Sequence, residues 1–324
     1  MSAARALPRG FAQRDVECNG TRLHVAVGGA GDPVVLLHGW PETSAMWHRL
    51  MGALAERGWQ VIAPDLRGLG TSQAATGGYG KDHQAEDVRQ LLEQLDVPAP
   101  VRLVGHDVGA MVAFSFARLH PERVAALALL DLAVPGLGLE RAMDVAAGGL
   151  WHFGLFQQPD VPAMLVSGHE QEFFAWWFAD QAGSPDAVPD ESIEAYIGAY
   201  TGRERLDAGF GHYRTLLEDG RINRAWAEAG GTLAMPVLAA GGEHSAGSQL
   251  AEALSAVAPP RPGARHRRSR TLRRRGESGG GPRTAPTVPR RPEVDDTGRA
   301  KRPARRRRGG IQQVDPRSCT PASQ

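Results

Sequence analysis

Short apolar runs at residues 34–37, 61–63, 101–104, 125–130 and 236–240 alternate with longer amphipathic stretches at 46–57, 83–95 and 109–120. Each run is too short for a helix and too uniformly apolar to keep one face in water, so it reads as a strand covered on both faces. Such strands belong to parallel sheets, because a parallel crossover needs a helix and that helix covers a face of the sheet. The alternation therefore predicts an α/β chain built on a mostly parallel sheet. Residues 22–27 alternate polar and apolar instead, the pattern of an antiparallel edge strand. No internal repeat is present.

The alternation stops at residue 135. From there to about residue 225 the chain is rich in aromatics, among them Trp151, Phe153, Phe156, Phe173, Phe174, Trp176, Trp177, Phe178, Tyr196, Tyr200 and Tyr213. An insertion of this kind between two strands of a parallel sheet, on the side where ligands bind, is expected to form a helical cap that walls an apolar pocket. Most of these rings glue the cap to the body, and two or three face the substrate. The expected organisation is a first part of the body at 1–134, a cap at 135–225, a second part of the body at 226–259 and a tail at 260–324.

Charge separates the tail from the rest. Residues 1–259 hold 18 Lys/Arg and 31 Asp/Glu, a net −13, whereas residues 260–324 hold 19 and 5, a net +14. The tail's large apolar residues are Leu272, Val288, Val294, Ile311 and Val314, scattered among Arg, Pro and Gly. Burial of so few cannot offset the entropy of ordering the segment, so disorder is expected. The amino terminus lacks the apolar run of a signal peptide, and no run reaches the length of a membrane span, which makes the cytoplasm the default location. Cys18 and Cys319, one in each segment, form neither a disulfide framework nor a metal-ligand cluster.

Chemistry enters at Gly105-His106-Asp107-Val108-Gly109, which follows one apolar run and precedes a helical one. The spacing is that of a nucleophile elbow: glycines permit a sharp strand-to-helix turn, and the residue between them stands at a helix N-terminus among backbone donors. Asp is also a common N-cap, so this motif alone does not decide. Two further motifs follow strands in the same way. They are His38-Gly39-Trp40-Pro41 after residues 34–37 and Asp65-Leu66-Arg67-Gly68-Leu69-Gly70-Thr71-Ser72 after residues 61–63.

The three motifs, in this order, resemble the nucleophile elbow, the H-G-x-P oxyanion loop (His38, Gly39, Pro41) and the D-x-R-G-x-G-x-S turn of α/β-hydrolase-fold enzymes. The resemblance runs from about residue 16 to residue 258. Asp at the nucleophile position is similar to epoxide hydrolases and to haloalkane and haloacid dehalogenases, and unlike Ser esterases and lipases. The segment Trp151-His152-Phe153 resembles that of Cif-type epoxide hydrolases, whose ring-opening pair is a His and a Tyr. The resemblance implies an α/β-hydrolase body with a helical cap and hydrolysis of an epoxide to a diol without cofactor or metal. Asp107 would attack a saturated carbon to form an alkyl-enzyme ester, and His152 and Tyr213 would donate to the leaving oxygen. The N–H groups of Trp40 and Val108 would stabilise the oxyanion of the second step.

That second step also needs a His, oriented by an acid. Asp131, 24 residues after Asp107 at the end of the run 125–130, is the favoured acid, because some dehalogenases and epoxide hydrolases carry it after the sixth strand; an Asx turn at a strand end is the lesser alternative. Glu243 is second choice, since Ser245 stands where many relatives have the acid. Dehalogenases of the fluoroacetate type carry Arg at the positions of Val108 and Met111, so a small neutral apolar substrate is expected here. Tyr196 and Tyr200 read as core, with one of them a possible pocket residue.

The resemblance breaks after residue 259. The family's last strand and helix, with the catalytic His between them, should occupy about 260–290, where the chain instead runs through Arg, Pro, Gly and Ala. A GC-rich gene read out of frame gives this composition. Taking the last two letters of each codon with the first of the next, residues 270–273 permit Gly-His-Phe, and later triplets permit Glu-Glu and Asn-Pro-Glu. The whole resembles the family's segment around its catalytic His. The expectation is therefore a frameshift near residues 258–260, a missing last strand and helix, and impaired hydrolysis. Among the remaining histidines, His106 should point away from the nucleophile, and His244 is the best substitute base. The alternatives are a haloalkane or haloacid dehalogenase, or a catalytically dead fold whose basic tail binds nucleic acid non-specifically through phosphate contacts.

Overall fold

A computed structural model describes residues 7–131, 133–182, 187–242 and 249–258. The expectations about the tail at 260–324, the last strand and helix, Glu243, Ser245, His244 and Cys319 lie outside the described residues. A seven-stranded sheet runs in the order β1-β2-β4-β3-β5-β6-β7, with β1 at Phe11–Cys18, β2 at Thr21–Gly28, β3 at Asp32–Leu37, β4 at Trp59–Pro64, β5 at Val101–His106, β6 at Val124–Leu130 and β7 at Val237–Ala240. Strands β3 to β7 pair in parallel, and β1 and β2 are antiparallel.

The apolar runs fall on β3 to β7, as full coverage of a parallel strand requires. The alternating run 22–27 is β2, antiparallel as expected but not at the edge, because β1 pairs along its entire outer side. Strand β1 carries Arg14, Asp15 and Glu17 and is largely exposed. An edge ribbon in water needs no apolar face, so the sequence pattern hides it.

Helix α1 (His48–Ala55) packs on one face of the sheet over Val34, Leu36, Val61 and Ala63. Helices α2 (Lys81–Gln94) and α3 (Val108–Leu119) cover the other face, and α3 is buried almost throughout. Between β6 and β7 the chain forms α4 (Glu140–Met143), α5 (Trp151–Phe156), α6 (Val161–Val166), α7 (Glu170–Gln181), α8 (Asp190–Ala199), α9 (Arg203–Arg214) and α10 (Leu216–Glu228). Helix α11 (Gln249–Leu254) follows β7 and joins the core on the α3 side through Leu250 and Leu254. None of the described helices is long and apolar enough to cross a membrane.

Among the described residues β7 is the edge of the sheet opposite β1, and Leu238 on it is 59% exposed. An apolar trough of about 420 Å³ lies beside α1, lined by Val34, Leu54, Trp59, Val104, Ala128 and Leu238.

Candidate active site

The site forms where β3 and β5 end. Strand β5 delivers Asp107 into a backbone conformation with φ 50° and ψ −122°, a region that costs a non-glycine residue energy and that nucleophile elbows use to present a side chain. The flanking glycines are obligatory. A Cβ on Gly105 would lie 2.3 Å from the Gly109 carbonyl oxygen, and one on Gly109 would lie 2.3 Å from that of Leu37. The turn is therefore closed by direct backbone contact with the neighbouring strand.

Two backbone donors converge on the Asp107 carboxylate. The Trp40 N–H donates to Oδ2 at 2.8 Å, and the Val108 N–H also bonds the carboxylate. These are the two groups that the motif reading assigns to the oxyanion hole. Burial raises the Asp107 pKa above the ordinary carboxylate value, while the charge of His106 and the two N–H groups hold it down. His38 is fully buried; its Nδ1 donates to the Gly39 carbonyl at 2.7 Å and its Nε2 accepts from the Leu66 N–H at 3.0 Å. It is a neutral strut that fixes the Gly39-Trp40-Pro41 loop to the turn after β4. In that turn Asp65 accepts from the N–H groups of Ser44 and Thr71, and Arg67 pairs with Asp87 on α2 through two hydrogen bonds, at 2.8 and 2.6 Å.

A cavity of about 470 Å³ opens over Asp107, and Asp131, His152 and Tyr213 line it together with Trp40. His152, on α5, is packed among Phe153, Phe156 and Trp177, with the Trp177 ring 4.8 Å away. Burial drives its pKa down to about 4, so at neutral pH it is an uncharged imidazole. Tyr213, on α9, crosses the Trp40 ring edge-on at 5.4 Å and faces His152 at 6.2 Å. Burial, then the charge of Asp107, raises its pKa well above the usual phenol value. Both groups thus retain an N–H or O–H for donation. Asp131 follows β6 at φ 70°, and its Oδ1 accepts from the Gly242 N–H at 2.7 Å. Asp131 thus stands on the pocket wall, tied to the loop after β7.

Two sequence expectations change. His106 does not point away from the nucleophile: it lines the cavity, with Nδ1 3.1 Å from Glu42 Oε2 in a close but poorly aligned contact. Burial works against its charged form, yet Glu42, Asp107 and Asp131 outweigh that and push its pKa up to about 9. Neither Tyr196 nor Tyr200 lines the cavity; the Tyr200 hydroxyl donates to the Glu42 carbonyl at 2.8 Å and ties the cap to the oxyanion loop. Arg141 on α4 also lines the cavity. Glu42 and Arg141 were not legible as site residues, since single charges in loops and short helices carry no periodic signal.

The alpha/beta hydrolase fold family matches residues 32–183. The soluble epoxide hydrolase of Corynebacterium sp. (strain C12) is 36% identical over 234 residues, 71% of this chain and 80% of that protein. The fluoroacetate dehalogenase of Burkholderia sp is 31% identical over 194 residues, 58% of this chain and 63% of that protein. Among solved structures, the Cif epoxide hydrolase from Acinetobacter nosocomialis superposes with a TM-score of 0.73 at 25% identity, covering 79% of this chain and 80% of that one. With its parallel sheet, its elbow after β5 and relatives of this closeness, the chain belongs to the epoxide hydrolase family of the α/β-hydrolase fold.

Proposed function

We propose that this chain opens a small, neutral, apolar epoxide by attack of the Asp107 carboxylate on a ring carbon. The carbon–oxygen bond of the ring breaks as the ester bond forms; the departing oxygen, held by hydrogen bonds from His152 and Tyr213, takes the Tyr213 hydroxyl proton, which solvent restores, and ends as a hydroxyl. The observation that carries this reading is a buried carboxylate at an elbow, facing one neutral imidazole and one neutral phenol across the cavity. Hydrolysis of the ester would use the Trp40 and Val108 N–H groups as the oxyanion hole and Asp131 as the acid that orients a histidine base.

On this reading none of the described residues supplies that base. Of the two described histidines on the cavity wall, His106 is protonated at neutral pH and His152 is a weak base. A frame change near residues 258–260 accounts for the missing histidine, and the expected product is a stable Asp107 ester. Incubation with styrene oxide followed by peptide mass spectrometry tests the first step. One adduct on the peptide containing Asp107, absent from Asp107→Asn, supports it; no adduct and no diol rejects it.

A second reading, removal of halide from a haloacid, draws on Arg141, a cation on the cavity wall, and on the likeness to a fluoroacetate dehalogenase. Against it, Val108 and Met111 are buried apolar residues of α3 and offer a carboxylate no partner. Fluoride release from fluoroacetate distinguishes the two. The excess positive charge of residues 260–324 supports weak nucleic-acid binding as a side effect, which a steep loss with added salt would reveal.

A further inference from the structure

Outside the cavity, a second buried polar cluster joins α2 to the junction of α9 and α10. Lys81 is 1% exposed, and its Nζ lies 2.9 Å from the His212 carbonyl, 3.0 Å from Thr215 Oγ1, 3.2 Å from Asp219 Oδ2 and 3.3 Å from the Tyr79 carbonyl. Asp219 Oδ1 accepts from the Lys81 backbone N–H at 2.9 Å, and Oδ2 accepts from the Thr215 hydroxyl at 2.8 Å. The two residues are 138 positions apart.

The arrangement is a reciprocal cap. Helix α2 starts at Lys81 after Gly80, which provides no side-chain cap, so the Asp219 carboxylate takes a free N–H at the positive end of that helix. Helix α9 ends at Arg214, and the Lys81 ammonium takes one of its last carbonyls, that of His212, at the negative end. Tyr213 is the next residue. His212 itself is held by its Nε2, which donates to the Arg67 carbonyl at 2.9 Å, and by Gln84, which donates to its Nδ1 at 3.3 Å. One turn earlier, Gly209 lets α9 press on the Trp40 indole, since a Cβ there would lie 2.7 Å from Nε1.

We propose that Lys81 and Asp219 are positioning residues that fix the end of α9 and thereby set the Tyr213 hydroxyl for donation to the epoxide oxygen. This rests on the ring-opening reading above. A buried ion pair adds little net stability compared with apolar residues of similar size, so its expected contribution here is geometric. Misplacing a reacting group by about 1 Å costs roughly 100-fold in rate, which is far more than the pair's effect on folding.

The test pairs Lys81→Met with Asp219→Leu, so that neither charge is left buried alone. The double variant should melt near the parent, while the first-order rate of Asp107 alkylation by styrene oxide falls about tenfold or more and the half-saturating concentration stays the same. In a Tyr213→Phe background the same double substitution should cause no further loss, because the group it misplaces is gone. An unchanged rate, or an equal loss in both backgrounds, overturns the proposal. Hydrogen exchange of residues 209–219 reads the same device without catalysis: faster exchange there, with α3 unchanged, is expected, and unchanged exchange overturns the proposal even if the chain alkylates nothing. Asp219→Asn, which keeps the side chain's shape and one acceptor, is read in the same way if the double variant does not fold.

Discussion

The two ends of the site differ in how they are supported. Asp107 and Trp40 stand at the ends of β5 and β3, the centre of the sheet, where Val35, Leu36, Leu37 and Val101 are fully buried and glycine contacts close the elbow. Asp131 stands at the end of β6 and leans on β7 through Gly242, and β7 is the last described strand on that side of the sheet, with Leu238 in solvent. The attacking half of the proposed reaction therefore lies on the most tightly packed part of the molecule. The half that would release the product depends on the edge. On the proposed reading a chain can keep the first and lose the second, because hydrolysis adds an orienting acid and a histidine base that attack does not use.

The comparison breaks most sharply at the nucleophile. Asp107→Asn should lower the rate of adduct formation by roughly 10⁴-fold or more, as loss of a covalent nucleophile does, whereas Asp131→Asn should leave adduct formation almost unchanged. Single-turnover mass spectrometry of the two variants checks this, and an equal loss in both would merge the two halves into one. Removing a ring-opening donor should cost less: Tyr213→Phe is expected to slow alkylation roughly 100-fold, in the range for loss of one preorganised donor.

Stability gives the same contrast on a smaller scale. Phe114, fully buried on α3 against Trp226, should cost about 3–5 kcal/mol on replacement by Ala. Leu238→Ala on the exposed edge should stay within about 0.5 kcal/mol. Urea denaturation of the two variants measures the difference, and similar losses would mean that Leu238 is covered in solution.

The smallest effect expected is a pH dependence. The His106 pKa is raised to about 9 from an ordinary value of 6.5. A histidine so shifted adds stability that is fully present below about pH 6.5 and is lost as pH rises through about 9. Stability to urea should therefore decline above about pH 9 in the parent and lose that decline in His106→Asn; an identical limb in both would assign it elsewhere.

What the sequence revealed follows from the range of each interaction. The elbow was legible because its geometry is local: Gly105, Asp107 and Gly109 carry the turn within five residues. Trp40 and Val108 were legible through motifs that place backbone groups rather than side chains. Strand β1 was not, because an edge ribbon with charges on both faces has no apolar period. The direction of His106 depends on Glu42, and the Lys81–Asp219 cap joins residues 138 positions apart, so neither leaves a mark in any local pattern.

The fate of the Asp107 ester tests the central claim most directly. Parent protein and a version whose codons after residue 258 are read in the shifted frame would be incubated with styrene oxide, and adduct and diol followed together. The account predicts one lasting adduct and less than one equivalent of diol from the parent, against continuous diol release and no lasting adduct from the restored chain. Sustained diol release by the parent would contradict it and would show that a base acts on the ester after all.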